Sequence, residues 1–161
     1  MAATLRQLLA SLPRAEVRDL ASLGRQDEDD LRVEEIVFDS RRAGPGSLFV
    51  AYRGVETDGH EHAAAAVARG AVAAVVEREL PGLGVPQVLV PNGREALAHL
   101  AAAWHGYPAR RLTVVGVTGT DGKTTTCNLL HSILSAAGRR AGLVTTVNAV
   151  IGERVLDTGL H

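Results

Sequence analysis

The chain has 161 residues, 46% hydrophobic and 22% charged, which suits one domain or one small domain plus part of another and excludes a large multidomain enzyme, wholesale disorder and a fibrous repeat. Seventeen Lys and Arg against eighteen Asp and Glu leave a net charge of -1, so nothing draws the chain generally toward nucleic acid or an anionic membrane, and any anion must be bound locally. With one Trp, two Tyr and two Phe, the core must be filled by Ala, Val, Leu and Ile, small side chains that suit close packing of helices on a sheet.

Residues 4–12 (TLRQLLASL) place Leu5, Leu8, Leu9 and Leu12 at helical spacing, and Pro13 with the polar run RQDEDD reads as connection. Two strand-like segments, VEEIVFDS (33–40) and SLFVAY (47–52), flank the turn-rich RRAGPG. After the polar loop RGVETDGH, residues 62–69 read as a helix with Gly70 as a left-handed C-terminal cap, and residues 71–76 as a buried strand. QVLV (87–90) is a further short strand. Residues 92–105 form a helix with Leu97, Leu100, Ala101 and Trp104 on one face, closed by Pro108. This alternation predicts an α/β architecture with a largely parallel sheet.

A new unit begins near Arg110. LTVVGV (112–117) is nearly continuously apolar, as a parallel strand covered on both faces should be. Beyond the loop TGTDGK, Leu130, Ile133, Leu134 and Ala137 repeat at i, i+3, i+4 and i+7, and Gly138 supplies a stop. Residues 141–146 read as a strand, and NAVI with RVL form a β ribbon around Gly152-Glu153.

The strongest chemical signal is GVTGTDGKTTT (116–126), set between that strand and that helix, the context a phosphate-binding loop requires. Gly119 and Gly122 permit a tight turn that brings N–H groups to phosphate oxygens, and the first turn of the helix adds free donors. Lys123 is an ammonium at the positive end of a helix dipole, disfavoured by roughly 0.3–1 kcal/mol until a polyphosphate reverses the sign. The Thr124 hydroxyl is where such loops hold Mg²⁺, and Thr125 can donate to a phosphate oxygen. The spacing departs from GxxxxGK[ST], which would need glycine where Val117 stands.

VTGTDGKTTT resembles the nucleotide loop of the Mur ligase superfamily, which reads GT-x-GK-[ST] after an apolar strand. Upstream, DSRRAGPGSLFVAYRGVETDGHEHAAAAVARGAVAAVV is similar to the N-terminal domain of the ligases that extend UDP-N-acetylmuramoyl peptides. The resemblance covers almost the whole chain and is nearest to the branch that adds the third residue of the peptidoglycan stem. It implies a small N-terminal α/β UDP-binding domain over residues 1–109, then the start of a P-loop, parallel-sheet ATPase domain at 110–161, incomplete and without the family's third domain.

The implied reaction is ATP-dependent carbon–nitrogen ligation: the γ-phosphate of ATP converts a D-glutamate carboxylate into an acyl phosphate that an incoming amino acid attacks. The implied partners are ATP, Mg²⁺, UDP-N-acetylmuramoyl-L-Ala-D-Glu and an amino acid, in the cytoplasm, with no nucleic acid and no membrane insertion. The resemblance assigns nucleotide contacts to Gly119, Thr120, Asp121, Gly122, Lys123, Thr124 and Thr125, with Lys123 catalytic and Thr124 on the metal. It assigns UDP-substrate contacts to Phe38, Ser40, Val55, Glu56 and Thr57. Asp121 departs from the family's more usual Asn and sets a carboxylate near triphosphate.

Other residues attract blander readings. Asp39 at a strand end braces nearby backbone N–H groups. His60 and His62 lack the further ligands a metal site needs and read as polar loop residues. Cys127 reads as a small buried packing residue, and as the sole cysteine it makes neither an internal disulfide nor a Cys-based metal site. No residue reads as a general base. The rival expectations are a UDP-sugar-binding module without catalysis, an unrelated P-loop kinase or NTPase, and a sister Mur-type ligase.

Overall fold

The computed structural model describes residues 3–18, 31–55 and 57–157, which fall into two compact units, Met1–Leu112 and Thr113–His161. The charge run at 25–30 and Glu56 lie outside the described residues.

In the first unit, β1 (Ala3–Thr4) pairs antiparallel with β3 (Arg32–Val33) and leads into α1 (Leu5–Leu9). Thr4 and Gln7 form a reciprocal capping box, which fixes where that helix starts. The main sheet is built from β2 (Glu16–Arg18), β4 (Glu35–Val37), β5 (Ser47–Val50), β6 (Ala71–Val76) and β7 (Gln87–Leu89), in the order β2-β7-β6-β5-β4. All neighbours run parallel except the antiparallel edge strand β2, which the sequence reading did not include.

Strand alternation divides the core in two. Leu48, Val50, Ala73 and Val75 join one cluster with Leu5 and Leu8 of α1 and with Ala96 and Leu100 of α3 (Gly93–Trp104). Phe49, Ala51, Ala74 and Val76 point the other way, onto Ala63 and Ala66 of α2 (Ala63–Ala68). Both sheet faces are covered, as continuously apolar parallel strands require, and the alanines on the α2 side let helix and sheet approach closely. The α3 face keeps three of the four residues the sequence reading names: Leu100 is buried and Leu97 and Trp104 pack partly buried against the same cluster, whereas Ala101 is half-buried outside it and Gly93 and Ala96 are the further buried residues.

Several predicted ends move for identifiable reasons. The first predicted strand stops at Val37, because Asp39 accepts the Arg41 N–H and starts a 3₁₀ turn at Ser40–Arg42. Gly70 does cap α2 with φ of 108°. Pro108 does not close α3: Gly106 N–H bonds the Ala103 carbonyl at 2.9 Å and Tyr107 N–H bonds Ala102 at 2.7 Å, a Schellman closure that precedes the proline.

The second unit contains α4 (Lys123–Ala136), then β8 (Gly142–Val144), β9 (Asn148–Ile151) and β10 (Arg154–Asp157) as an antiparallel sheet in the order β10-β9-β8. The β ribbon closes on Gly152, whose positive φ of 61° suits the first central position of a two-residue hairpin turn. Gly138 ends α4 by a second Schellman closure, with Arg139 N–H on Leu134 and Gly138 N–H on Ser135.

The parallel strand expected at 112–117 does not form. Among the described residues no backbone ladder reaches it, and Leu112, Val114 and Val115 are exposed. An apolar run becomes a strand only when neighbours take its N–H and C=O groups, and the described strands of this unit pair antiparallel among themselves. For the same want of a covering layer α4 has no buried residue, Ile133 is exposed, and Cys127 is half-buried rather than buried.

Candidate functional site

In the first unit a cleft of about 620 Å³ opens beyond the C-terminal ends of β4 and β5, the end at which parallel α/β sheets collect ligands. Phe38, Asp39, Ser40 and Arg41 come from the segment after β4, Tyr52, Gly54, Thr57 and His62 from the segment after β5, and Arg94 from the first turn of α3. Phe38 is exposed and its ring centroid lies 6.4 Å from that of Tyr52, the planes inclined at 36°. The Arg94 guanidinium carbon lies 5.3 Å from the Tyr52 ring centroid. Of the residues expected to contact a UDP substrate, Phe38, Ser40 and Thr57 line this one cleft. Val55 is not among its lining residues and is 95% exposed.

Arg41 folds back onto Asp39, with Nε 2.9 Å from Oδ1 and Nη2 2.8 Å from Oδ2. That bidentate pairing, aided by the Arg41 backbone N–H, lowers the Asp39 pKa from the ordinary 3.8 to about 2. Asp39 is therefore the brace the sequence suggests, and it also occupies the neighbouring arginine.

The loop carrying Thr57 is held from beneath. Gly54 N–H donates to the Thr57 carbonyl at 2.8 Å, and Arg53 and Asp58 form a β-bridge. Asp58 takes Arg78 at 2.8 Å and His60 Nδ1 on its two oxygens, and Arg78 first, then the His60 backbone and ring, hold its carboxyl well below the usual range. His60 is buried, and its Nε2 accepts the Glu77 N–H at 2.9 Å, so its proton sits on Nδ1 toward Asp58. His60 is thus a structural strut between loop and sheet rather than a polar loop residue, while His62 faces the cleft. No group of three or more His, Cys, Asp or Glu that could hold a metal ion occurs among the described residues.

In the second unit, Gly119 has φ of 144° and Gly122, the N-cap of α4, φ of 73°. These left-handed turns are cheap only for glycine and bend the chain around the start of the helix. No side chain caps α4, and among the described residues no acceptor takes the backbone N–H of residues 119–125. Lys123 Nζ donates to the Gly119 carbonyl at 2.6 Å and the Thr120 carbonyl at 2.9 Å, which holds the ammonium over the loop. The hydroxyls of Thr124 and Thr125 bond nothing among the described residues, and Asp121 is exposed. The loop thus gathers a cation, a fan of unpaired amides and two free hydroxyls, a donor set suited to a polyphosphate and its cation.

Sequence reasoning missed Tyr52 and Arg94. Arg94 carried one signal: Asn92-Gly93 opens a helix, so the next residue sits in its first turn.

Two family profiles match the chain: "Mur ligase family, catalytic domain" over residues 32–105 and "Mur ligase middle domain" over residues 117–159. The chain belongs to the Mur ligase family. It is 53% identical over 122 residues, 74% of this chain and 24% of the relative, to the UDP-N-acetylmuramyl-tripeptide synthetase of Roseiflexus sp. (strain RS-1). It is 50% identical over 117 residues, 73% of this chain and 24% of the relative, to the UDP-N-acetylmuramoyl-L-alanyl-D-glutamate--2,6-diaminopimelate ligase of Geobacillus thermodenitrificans (strain NG80-2). Among solved structures, MurF from Acinetobacter baumannii matches with a TM-score of 0.62 and 33% identity, over 84% of this chain and 28% of that one. The chain spans about a quarter of the length of these curated relatives.

Proposed function

We propose that the chain is the UDP-substrate-binding domain (residues 1–109) and the opening of the ATP-binding domain (residues 110–161) of a cytoplasmic ligase of peptidoglycan precursor synthesis. The proposed reaction adds the third residue to UDP-N-acetylmuramoyl-L-Ala-D-Glu. The names of the two curated relatives support the step, and the cleft beyond β4 and β5 supports a UDP-bearing substrate. The observation that carries the reading is the set of amides at 119–125, unpartnered among the described residues, beneath the Lys123 ammonium.

When bound, ATP with Mg²⁺ supplies the phosphoryl group by which a carboxylate becomes reactive toward an amine. The chain's own contribution is electrostatic. Gly119 to Thr125 offer main-chain N–H groups with no competing acceptor among the described residues. Lys123 exchanges two carbonyl partners for phosphate oxygens and balances their charge, while the Thr124 hydroxyl is free to ligate the cation. Asp121 opposes an anion by charge and lowers affinity relative to an amide there. In the cleft, Phe38 and Ser40 hold the uridine end and Thr57 the loop beside it.

Separate titrations of the 161-residue chain with ATP–Mg²⁺ and with UDP-N-acetylmuramoyl-L-Ala-D-Glu test this. Saturable binding of both is expected, with Lys123→Ala weakening ATP by tenfold or more, on the order of a lost charge-assisted hydrogen bond, and leaving the sugar nucleotide untouched. A second reading, a sugar-nucleotide-binding module alone, is favoured by the segment at 113–118 that leads into the loop and joins no sheet among the described residues. It predicts a response to the sugar nucleotide only.

A further inference from the structure

We infer that Arg94 is the anion-reading residue of the cleft, a guanidinium that leaves the face of the Tyr52 ring to take the phosphates of a nucleoside diphosphate whose base lies against Phe38 and Tyr52. This rests on the reading of the cleft as a nucleotide site and adds the group that would distinguish a nucleotide from a nucleoside.

Two arginines line the cleft, and only one is uncommitted. Arg41 spends its fork on Asp39 through contacts of 2.9, 3.1 and 2.8 Å. Nearby Arg78 is likewise committed, to Asp58. Arg94 is exposed, has no carboxylate partner among the described residues, and makes one recorded side-chain contact, over Tyr52. A guanidinium parked on an exposed aromatic face is held more weakly than one in a charge-assisted pairing with phosphate, so a diphosphate in the cleft would draw it off.

Its placement is built. Gly93 packs so closely on β5's end that a Cβ there would lie 2.7 Å from the Ala51 carbonyl oxygen. Glu77 Oε1 accepts the Gly93 N–H at 2.7 Å, and Asn92 Oδ1 accepts the N–H groups of Arg94 and Glu95. The main-chain donors of this helix start are therefore occupied, leaving the Arg94 side chain as its remaining means of meeting an anion. A planar fork suits phosphate oxygens better than an ammonium point charge.

Calorimetric titration of the 161-residue chain and of Arg94→Gln and Arg94→Lys with UDP and with uridine tests the inference, with circular dichroism reporting the fold of each variant. The wild-type chain should bind UDP more tightly than uridine. Arg94→Gln should lose roughly ten- to a hundredfold for UDP and nothing for uridine, with Arg94→Lys between. Unchanged UDP affinity in Arg94→Gln would overturn the role of Arg94 while leaving the cleft a nucleotide site. Equal losses for both ligands would make Arg94 merely a prop for Tyr52 and would also overturn it. A wild-type chain that binds neither ligand would remove the cleft reading and this inference together.

Discussion

Asp39 and His60 show how little of a side chain's task lies in its type. Asp39 is held to about 2 against an ordinary 3.8 by Arg41. A carboxyl with a depressed native pKa stabilises the fold above its unfolded value and loses that contribution as pH falls through the native one. Melting temperature in the wild-type chain should therefore decline between about pH 4 and pH 2. In Asp39→Asn part of that slope should disappear, and an identical slope in the two proteins would remove Asp39 from the account. His60 has both ring nitrogens engaged in a buried position, so His60→Ala leaves the Glu77 N–H without its partner and takes the ring donor from Asp58 Oδ1, which keeps only the backbone N–H of residue 60. A loss of about 1–3 kcal/mol is expected in urea unfolding. His60 and His62 look alike in sequence because spacing of two says nothing about which is enclosed. The answer comes from Asp58 and Glu77, the latter 17 residues away.

The helix starts and stops of this chain obey local chemistry, and one start also depends on packing. At Gly93 an added methyl gains at most about 1 kcal/mol of helix propensity but must displace the Ala51 carbonyl and Tyr52 Cβ, an overpacking cost of roughly 1–3 kcal/mol. We expect Gly93→Ala to destabilise the chain on balance and to weaken UDP binding by shifting Tyr52 and Arg94; a rise in melting temperature would show that the crowding relaxes freely. The glycine stops were legible because they involve a few neighbouring residues: Gly70 N–H closing on Val67 after α2, and Gly138 with Arg139 closing on Ser135 and Leu134. Strands were less so. LTVVGV has the composition of a buried strand, yet residues 113–118 pair with nothing among the described residues, because a strand's hydrogen bonds belong to its neighbours.

Taken together, the two units differ in how finished their interiors are. The first buries both faces of its sheet, whereas the second has Leu143 as its one buried hydrophobic side chain among the described residues and leaves Leu129, Ile133 and Val144 exposed. Phosphoryl transfer relies on donors fixed before the reaction, and a loop whose preceding segment is unpaired and whose helix is uncovered is not so fixed. The 161-residue chain should consequently bind nucleotide yet release no ADP in response to an added amino acid and UDP-N-acetylmuramoyl-L-Ala-D-Glu. Amino-acid-dependent ADP release above background, followed by a coupled assay, would contradict this.

From residue order alone one could obtain the α/β class, the glycine-lysine loop, the helix caps and the family resemblance, since each depends on periodicity or on groups a few positions apart. That Phe38, Ser40, Thr57 and Arg94 line one cleft, that Arg41 is taken and Arg94 is not, and that His60 is a strut required the folded chain. Those facts concern which distant groups satisfy one another's charge and hydrogen bonds, and that pairing is settled only when the sheet brings them within reach.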